Sequence, residues 1–584
     1  MRGQSIRPSQ FILTYGVGAI IDTREGPNAI LDFQNWGQMF THPSTSRALS
    51  DFEIRDDNVT ALLGGGRIFT IPTNADLEKP EDQPIYRTGL FPHWGKCEQH
   101  DILYPITPNG STTCPSCPPS KYAQTEAIRF VRACYGGHLD DIDWPRIVHR
   151  KSKGCSGKHF RWIETTSGDL RSVKIQCTTC NDEATLWDIY NQTWHCSGYS
   201  PESDETEKCD REAIVVLRSA SNLRIPEVIS ALTIPPKCTQ LHHVLSLPTV
   251  QVILTMHADA DKARLLSILK QIASSNPELI KQETIDTVEE HTEAEVETAI
   301  KDCKKPADPK LTPNILKEKE IDALKYAAVH GYPPNPKRQE DFEVEKGSSV
   351  NIDYSSKLKI RVTPIKRLRI VMAQRGFKRF VRPKSIPVEK FVPRLVEKFY
   401  FDSHDRWFPG IALRGEGVFV DLSPNESLHL NEEIAKTWFS EFLRSGKQIS
   451  YHPVFIFWHT FAHRAIQALG LDSGYSSAAI RERIYLKLDK DGVSGDGGFL
   501  LYTSQPGGDG SLGGLIALAK EFGIVLETAF RNIDACSNDP LCAEQVLTSG
   551  RANGAACYAC LFLSETSCEY RNTFLDRNLL RNSI

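Results

Sequence analysis

Five cysteines, Cys536, Cys542, Cys557, Cys560 and Cys568, crowd the end of a 584-residue chain. Cys557 and Cys560 form a CxxC pair, a spacing that lets two thiolates grip one metal ion. Cys568 and either Cys542 or Cys536 can complete a tetrahedral four-sulfur zinc site, with iron–sulfur ligation the alternative that spacing does not separate from it. Two further groups have metal-ligand spacing. Cys97 and His100 precede Cys114 and Cys117, the pattern of a three-cysteine, one-histidine zinc ribbon or knuckle. Cys177 and Cys180 are followed by Cys196 and Cys209. Between these groups lie Cys134, His138, Cys155 and His159, a looser set that offers a further site; the run AIRFVRAC makes Cys134 equally suited to a core strand.

Other residues invite a catalytic reading. His138 stands near Asp140 and Asp141 in GHLDDIDW, and a hydrolase would pair such groups, but no separate nucleophile accompanies them. The ordinary reading is a loop whose side chains cap a helix and satisfy buried backbone. His459 and His463 are four apart on a helical pattern, which puts both imidazoles on one face. Thr460 occupies the place where a zinc peptidase helix needs its glutamate, and no third ligand is evident, so packing is the expected role. PGGDGSLGG at 506–514 and the glycines near Gly16 and Gly18 lack the lysine of a phosphate-binding loop.

The elements that must hold these residues belong to a multidomain protein, because a chain this long exceeds one hydrophobic core. Its composition, 40% hydrophobic and 24% charged, is that of a globular protein. A net charge of −4 does not announce a nucleic-acid partner, so any such surface must be local. One local candidate is the basic stretch Lys366, Arg367, Arg369, Arg375, Lys378, Arg379, Arg382 and Lys384, interleaved with Phe377 and Phe380, which suits phosphate contact. A solvated face or a dock for an acidic partner has the same composition. No apolar run approaches the roughly eighteen residues of a membrane span, and the start lacks a signal-peptide core, so a cytoplasmic protein without membrane partners is expected. Sixteen cysteines in that compartment read as metal ligands rather than disulfides.

The expected fold class is α+β: zinc-stabilised N-terminal modules, a helical middle region, and a C-terminal mixed α/β domain with a four-cysteine zinc site. The composition shifts divide the chain into 1–90, an N-terminal α+β segment; 91–212, zinc-ribbon-like modules; 213–345, mainly helical with a possible insertion; 346–450, a basic linker with α+β character; and 451–584. Short strands are expected at Phe11–Tyr15 and Ala19–Ile21, and a strand at AIVVL followed by a helix within SNLRIPEVISALTIPP. The acidic run Glu283, Asp286, Glu289, Glu290, Glu293, Glu295 and Glu297 reads as the solvated face of helices.

Several segments together resemble the DrmB family, the helicase-associated component of DISARM anti-phage defence. They are SQFILTYGVGAIID at 9–22, ACYGGHLDDIDW at 133–144, SNLRIPEVISALTIPP at 221–236, RGEGVF at 414–419, HTFAH at 459–463, LLYTSQPGGDGSLGGL at 500–515, and the cysteine block at 554–577. The resemblance spans nearly the whole chain, and the last block is its most specific part. It implies that 451–584 is a helicase-associated zinc-binding domain with Cys542, Cys557, Cys560 and Cys568 as ligands and Cys536 the rival for the fourth place. It implies two or three zinc ions in all, and a non-enzymatic subunit that associates with a superfamily 2 helicase, binds DNA and supports the helicase's ATP-driven activity. A metal-dependent nuclease or hydrolase using His138, Asp140 and Asp141, or His459 and His463, and a zinc-stabilised scaffold without DNA contact, are the alternatives.

Overall fold

In the computed structural model, the described residues are 6–23, 26–32, 49–80, 85–106, 114–118, 125–150, 154–164, 169–233, 240–257, 259–277, 279–304, 311–332, 341–387, 390–397, 406–472, 476–490, 492–505, 514–531, 533–545, 547, 552–564 and 566–584. Most of the glycine-rich stretch 506–514 and of the proline-rich stretches near 306 and 333 lies outside them. The chain is α+β, with several clusters of cysteine and histidine. It gathers into two compact units, each assembled from three stretches: 1–54, 66–229 and 373–411 in the first, and 55–65, 230–372 and 412–584 in the second. Each unit draws on stretches far apart in sequence, so the boundaries differ from five consecutive parts.

The first unit is built from small antiparallel sheets. Six strands run in the order Glu183–Thr185, Lys174–Cys177, Phe160–Ile163, Ile102–Pro105, Trp94–Cys97 and Thr125–Ala127. A second sheet orders Leu139–Asp140, Phe130–Cys134, Glu212–Leu217 and Trp194–His195. Their shared core includes Leu103, Trp144, Phe160, Ile175, Ile189 and Trp194. These strands are only two to six residues long, too short to bury much apolar area each, and metal crosslinks are a common remedy for such sheets. Asp143 caps the helix Trp144–Val148, its carboxylate accepting the Arg146 N–H, and Asp141 accepts the His93 backbone N–H. Within GHLDDIDW, Asp141 and Asp143 thus take the capping and backbone-satisfying roles that the composition suggests, while Leu139–Asp140 is a strand.

The second unit has a helical part and a mixed part. Helices Gln240–Leu245, Pro248–Met256, Lys262–Ser275, Gln282–Glu290 and Glu293–Lys304 bury a core of their own that includes Leu254, Leu265, Leu269, Val288 and Val296. Ile285, Val288, Val296 and Ile300 face inward while Glu283, Asp286, Glu289, Glu290, Glu293 and Glu297 are exposed, the solvated face that the charge pattern describes. In the mixed part, Ile480–Leu488 pairs antiparallel with Gly495–Gln505, Ile484 opposite Phe499, and residues 414–421 pair with the other edge of Gly495–Gln505. The helix Pro453–Asp472 packs against this sheet with Phe457, Trp458, Phe461, Ala465 and Leu469 fully buried or nearly so. This helix is apolar almost all round, which marks a buried central element.

Two local expectations change. Pro8–Leu13 is a helix rather than a strand: Pro8 occupies its first position, and the Gln10 side chain reaches back to the Arg7 N–H. Residues Ile225–Leu232 form a strand where a helix is expected. Pairing decides between the two conformations there, since a short apolar run flanked by prolines is compatible with both.

Candidate metal centres

Among the described residues, five groups bring four potential ligand atoms within 4.8 Å of one another. Three lie in the first unit, and each is built at a hairpin. Cys97 ends the strand Trp94–Cys97, and the turn to Ile102–Pro105 carries His100, with Asp101 in the left-handed region. His100 Nδ1 lies 3.5, 3.7 and 3.4 Å from the sulfurs of Cys97, Cys114 and Cys117. These are the four residues that the spacing selects.

The remaining N-terminal ligands are regrouped. Cys177, Cys180, Cys196 and Cys209 do not form one site. Phe160 pairs opposite Cys177, so the segment just before Phe160 meets the turn after Cys177, and Cys155 and His149 join Cys177 and Cys180. Cys134 pairs opposite Ala213, which pairs on its other side with Trp194. That register draws Cys196 and Cys209 to Cys134 and His138. His159 joins neither group. Its carbonyl accepts the Thr178 N–H instead.

The sulfurs in these groups are 3.7–3.9 Å apart. A disulfide needs about 2.05 Å. Tetrahedral bonds of about 2.3 Å to one zinc ion put sulfurs roughly 3.8 Å apart. Backbone N–H groups of Gly136, Gly157, Thr179 and Gly198 donate to the sulfurs of Cys134, Cys155, Cys177 and Cys196, a pattern that favours thiolates. Glu207 Oε1 holds Nε2 of His138 at 2.8 Å and leaves Nδ1 facing Cys196 at 3.4 Å. A carboxylate behind a histidine in this way fixes the tautomer and orientation of a ligand.

The fourth group, in the second unit, contains Cys536, Cys542, Cys557 and Cys560, with sulfur separations of 3.5, 3.7 and 3.7 Å. Cys536, not Cys568, is its fourth member. The turn from Cys536 to Cys542 is closed by the Asp539 N–H on the Cys536 carbonyl and the Cys542 N–H on the Asn538 carbonyl. That turn places both sulfurs against the CxxC pair. Burial pushes the Cys557 thiol up, but the Ala559 N–H, Cys536 and Asn538 outweigh it and hold the group at about 7. Burial and Cys557 push Cys542 up to about 12. One thiolate thus suppresses the next, and a divalent cation is what allows all four to ionise together. Four thiolates around a zinc ion leave a surplus of two negative charges. Arg577, bonded to Asp539 at 2.7 and 2.9 Å, and Arg464, bonded to the Cys560 carbonyl at 3.4 Å, stand beside them.

Cys568 is instead beside His459, His463 and Glu482, the fifth group. His459 and His463, expected to serve in packing, are members of this group. Glu482 and His149 are the members that spacing does not reveal.

The basic stretch is less available than its composition implies. Arg379 is wholly buried and bonds to Glu202 and to the carbonyls of Gly137 and Leu223. Arg369 is buried beside Asp341 and Asp56 and donates to Thr233. Neither reaches a phosphate. For Arg369 the cause is the strand Lys359–Lys378, buried on both faces for most of its length; Arg379 lies one residue past its end. Lys366, Arg367, Arg375 and Lys378 keep partial exposure but pair with Glu345, Glu343, Glu397 and Glu227. Arg382 and Lys384 are exposed; Arg382 donates to the Ile386 carbonyl and Lys384 to Asn191. Asp140 pairs with Arg132 and Asp141 with His93, so neither accompanies His138 as a catalytic partner. No helix among the described residues is long and apolar enough to cross a membrane.

Comparison with known proteins places these centres. Residues 461–561 match the family described as the MrfA Zn-binding domain, which takes in all four members of the Cys536 group and stops short of Cys568. Residues 7–225 match a domain of unknown function, DUF8724. The chain is 28% identical over 502 residues to the DISARM protein DrmB of Bacillus paralicheniformis, covering 81% of this chain and 83% of that protein. A crystal structure of the DUF1998 helicase MrfA bound to DNA aligns at 9% identity over 40% of this chain and 24% of that one, with a TM-score of 0.20, which carries no argument about fold.

Proposed function

From the premise that the chain is DrmB-like over most of its length and carries a MrfA-type zinc-binding domain, we propose that it is a non-catalytic, cytoplasmic accessory subunit of a DISARM anti-phage system. In this reading it associates with a superfamily 2 helicase, which supplies ATP hydrolysis, and supports that partner's engagement of DNA. The observation that carries the reading is the likeness to a DISARM protein along both chains. The chemistry of the clusters agrees with it. Each offers four protein donors to one point, the donor count of a structural zinc site, whereas a hydrolytic site keeps a position open for water. Of the residues of the hydrolase alternative, His138, Asp140 and Asp141 are committed to a ligand cluster and to ion pairs, and His459 and His463 sit in a buried four-donor group.

DNA contact falls to the exposed and half-exposed members of the basic stretch, Lys366, Arg367, Arg375, Lys378, Arg382 and Lys384. The glutamates that pair with four of them favour the second reading, a scaffold that touches only protein. Salt-dependent DNA binding of the purified chain, alone and with its helicase, separates the two. Reversal of Lys366 and Arg367 to glutamate is expected to weaken DNA binding and to flatten the log–log salt slope by about 2 if each neutralises one phosphate. An unchanged affinity and slope with intact helicase association sinks the DNA-contact reading in favour of the scaffold.

A further inference from the structure

The helix Pro453–Asp472 presents His459 and His463 to the interior, where neither is exposed to solvent at all. Their outer nitrogens are already engaged. Nδ1 of His459 faces the Phe574 carbonyl at 3.1 Å and Nδ1 of His463 faces the Leu561 carbonyl at 2.8 Å. A carbonyl oxygen only accepts, so both Nδ1 atoms carry the proton, and a neutral imidazole then has a lone pair at Nε2.

Both Nε2 atoms converge on one carboxylate. Glu482 Oε1 lies 2.9 Å from Nε2 of His459 and 3.4 Å from Nε2 of His463, and Cys568 Sγ lies 3.3 Å from Nε2 of His459. With neutral rings and an ionised carboxylate, the two imidazole–carboxylate contacts are lone pairs facing lone pairs. Nε2 of His463 and Oε2 of Glu482 make no hydrogen bond at all. One proton on His459 satisfies its contact with Glu482 but leaves Nε2 of His463 facing the same carboxylate, and protonating both rings puts two imidazolium ions against one carboxylate in a buried space, a surplus positive charge. A divalent cation resolves the same contacts with neutrality, since one carboxylate and one thiolate balance its charge. The Cys568 sulfur is prepared for that role by the N–H groups of Tyr570 and Asn572, both at 3.3 Å.

We propose that His459, His463, Glu482 and Cys568 hold a zinc ion in a closed tetrahedral site, a centre separate from the four-cysteine cluster of the same domain. Two imidazoles, one carboxylate and one thiolate are all zinc donors; separations of 3.3 and 3.4 Å meet the roughly 3.3–3.8 Å of donors sharing one tetrahedral ion, and the 2.9 Å pair needs to open by a few tenths of an ångström. The Nδ1–H bonds to carbonyls are the outer support that orients histidine ligands. With four protein donors and no exposure, the ion has no open position, so its task is to fasten. It joins the central helix, the strand Ile480–Leu488 and the C-terminal segment around Cys568.

The neighbouring residue of each pair fastens the opposite side. Arg483, next to Glu482, bonds to Glu320 at 2.6 and 3.0 Å and to Glu569 at 3.0 Å, and Glu569, next to Cys568, also receives Lys317 at 2.6 Å. The Glu482 N–H to the Ser567 carbonyl, 3.0 Å, runs between the two pairs. The C-terminal segment is thus clamped to the strand by ligand bonds on one face and by a buried ion network on the other.

The test is diffraction from crystals of the full chain, purified without chelator, recorded above and below the zinc absorption edge. The expected result is a zinc-specific peak among His459 Nε2, His463 Nε2, Glu482 Oε1 and Cys568 Sγ, alongside one at the Cys536 group. A peak at the Cys536 group with none among these four donors overturns the proposal. Native mass spectrometry of Cys568→Ser and Glu482→Gln is expected to show the loss of one zinc ion while the others stay. The unsubstituted chain decides the matter even where a variant does not fold.

Discussion

Two centres within one domain solve different problems with different donors. The Cys536 group is local: four cysteines within a single stretch, held by tight turns, with Leu541 and Tyr558 at its surface strongly exposed. Its charge surplus is offset by arginines standing beside it. The His459 group is assembled from a helix, a strand and a distant loop, lies wholly in the core, and is neutral with a divalent ion. A four-thiolate site near water tolerates net charge because solvent and arginines screen it, whereas a site inside an apolar core cannot. The mixed donor set is the one that depth permits.

The difference between the two centres has its largest expected consequence at Glu482. Its replacement by alanine removes one of the two anions that balance the divalent ion and leaves a surplus positive charge in the core. A loss of about 3–5 kcal/mol is expected, the scale for removing one partner from a buried charged set. Thermal denaturation followed by tryptophan fluorescence checks it, and an unchanged midpoint contradicts the role given to this side chain. Cys557→Ser is expected to act more locally. It should remove one zinc ion and expose the amides of 536–561 to hydrogen exchange, while those of Pro453–Asp472 remain protected. Equal loss of protection in both segments erases the distinction between a local and a core centre.

Asp576 offers a third test of intermediate size. It caps the last helix through the N–H groups of Asn578 and Leu579 and accepts the buried Trp438 indole N–H at 2.8 Å. Asp576→Ala is expected to cost about 2 kcal/mol, a cap together with an orphaned buried donor. The zinc content should be unchanged, and a variant that loses zinc contradicts a purely capping role.

The smallest effect concerns the His138 group, where a carboxylate rather than a carbonyl supports the histidine. Arg394 first and His138 second hold the Glu207 carboxyl below its ordinary 4.5. A depressed carboxylate contributes stability that is complete above the ordinary value and is lost as pH falls through the lowered one. Glu207→Gln should therefore retain zinc less well than the parent above about pH 5, and the two should converge in stronger acid. A zinc-release titration with a chromogenic chelator reads this, and identical curves throughout remove Glu207 from the support of His138.

What was legible in the chain follows the same division between local and distant. Cys97, His100, Cys114 and Cys117, and the pairs Cys177–Cys180 and Cys557–Cys560, are readable because a turn brings ligands together within a few residues. The partners of Cys177, Cys134 and Cys568 are not, because strand register chooses them. Phe160 opposite Cys177 and Cys134 opposite Ala213 are facts of pairing that no spacing encodes. Glu482 did leave a trace. In Ile480-x-Glu482-x-Ile484-x-Leu486 a carboxylate occupies the apolar face of an alternating strand, which calls for a buried partner. The basic stretch misled for the converse reason. Arg369 and Arg379 look like phosphate ligands in composition, but a strand buried on both faces takes Arg369 inside, and Arg379, just past its end, is buried against Glu202, so both become internal ion-pair partners.

The most direct measurement of the central claim is the number of zinc ions on the intact chain, counted by native mass spectrometry after purification without chelator. Five ions per chain is the predicted result, with the fifth lost in Cys568→Ser. Four ions, unaffected by that substitution, would contradict the account of the core centre.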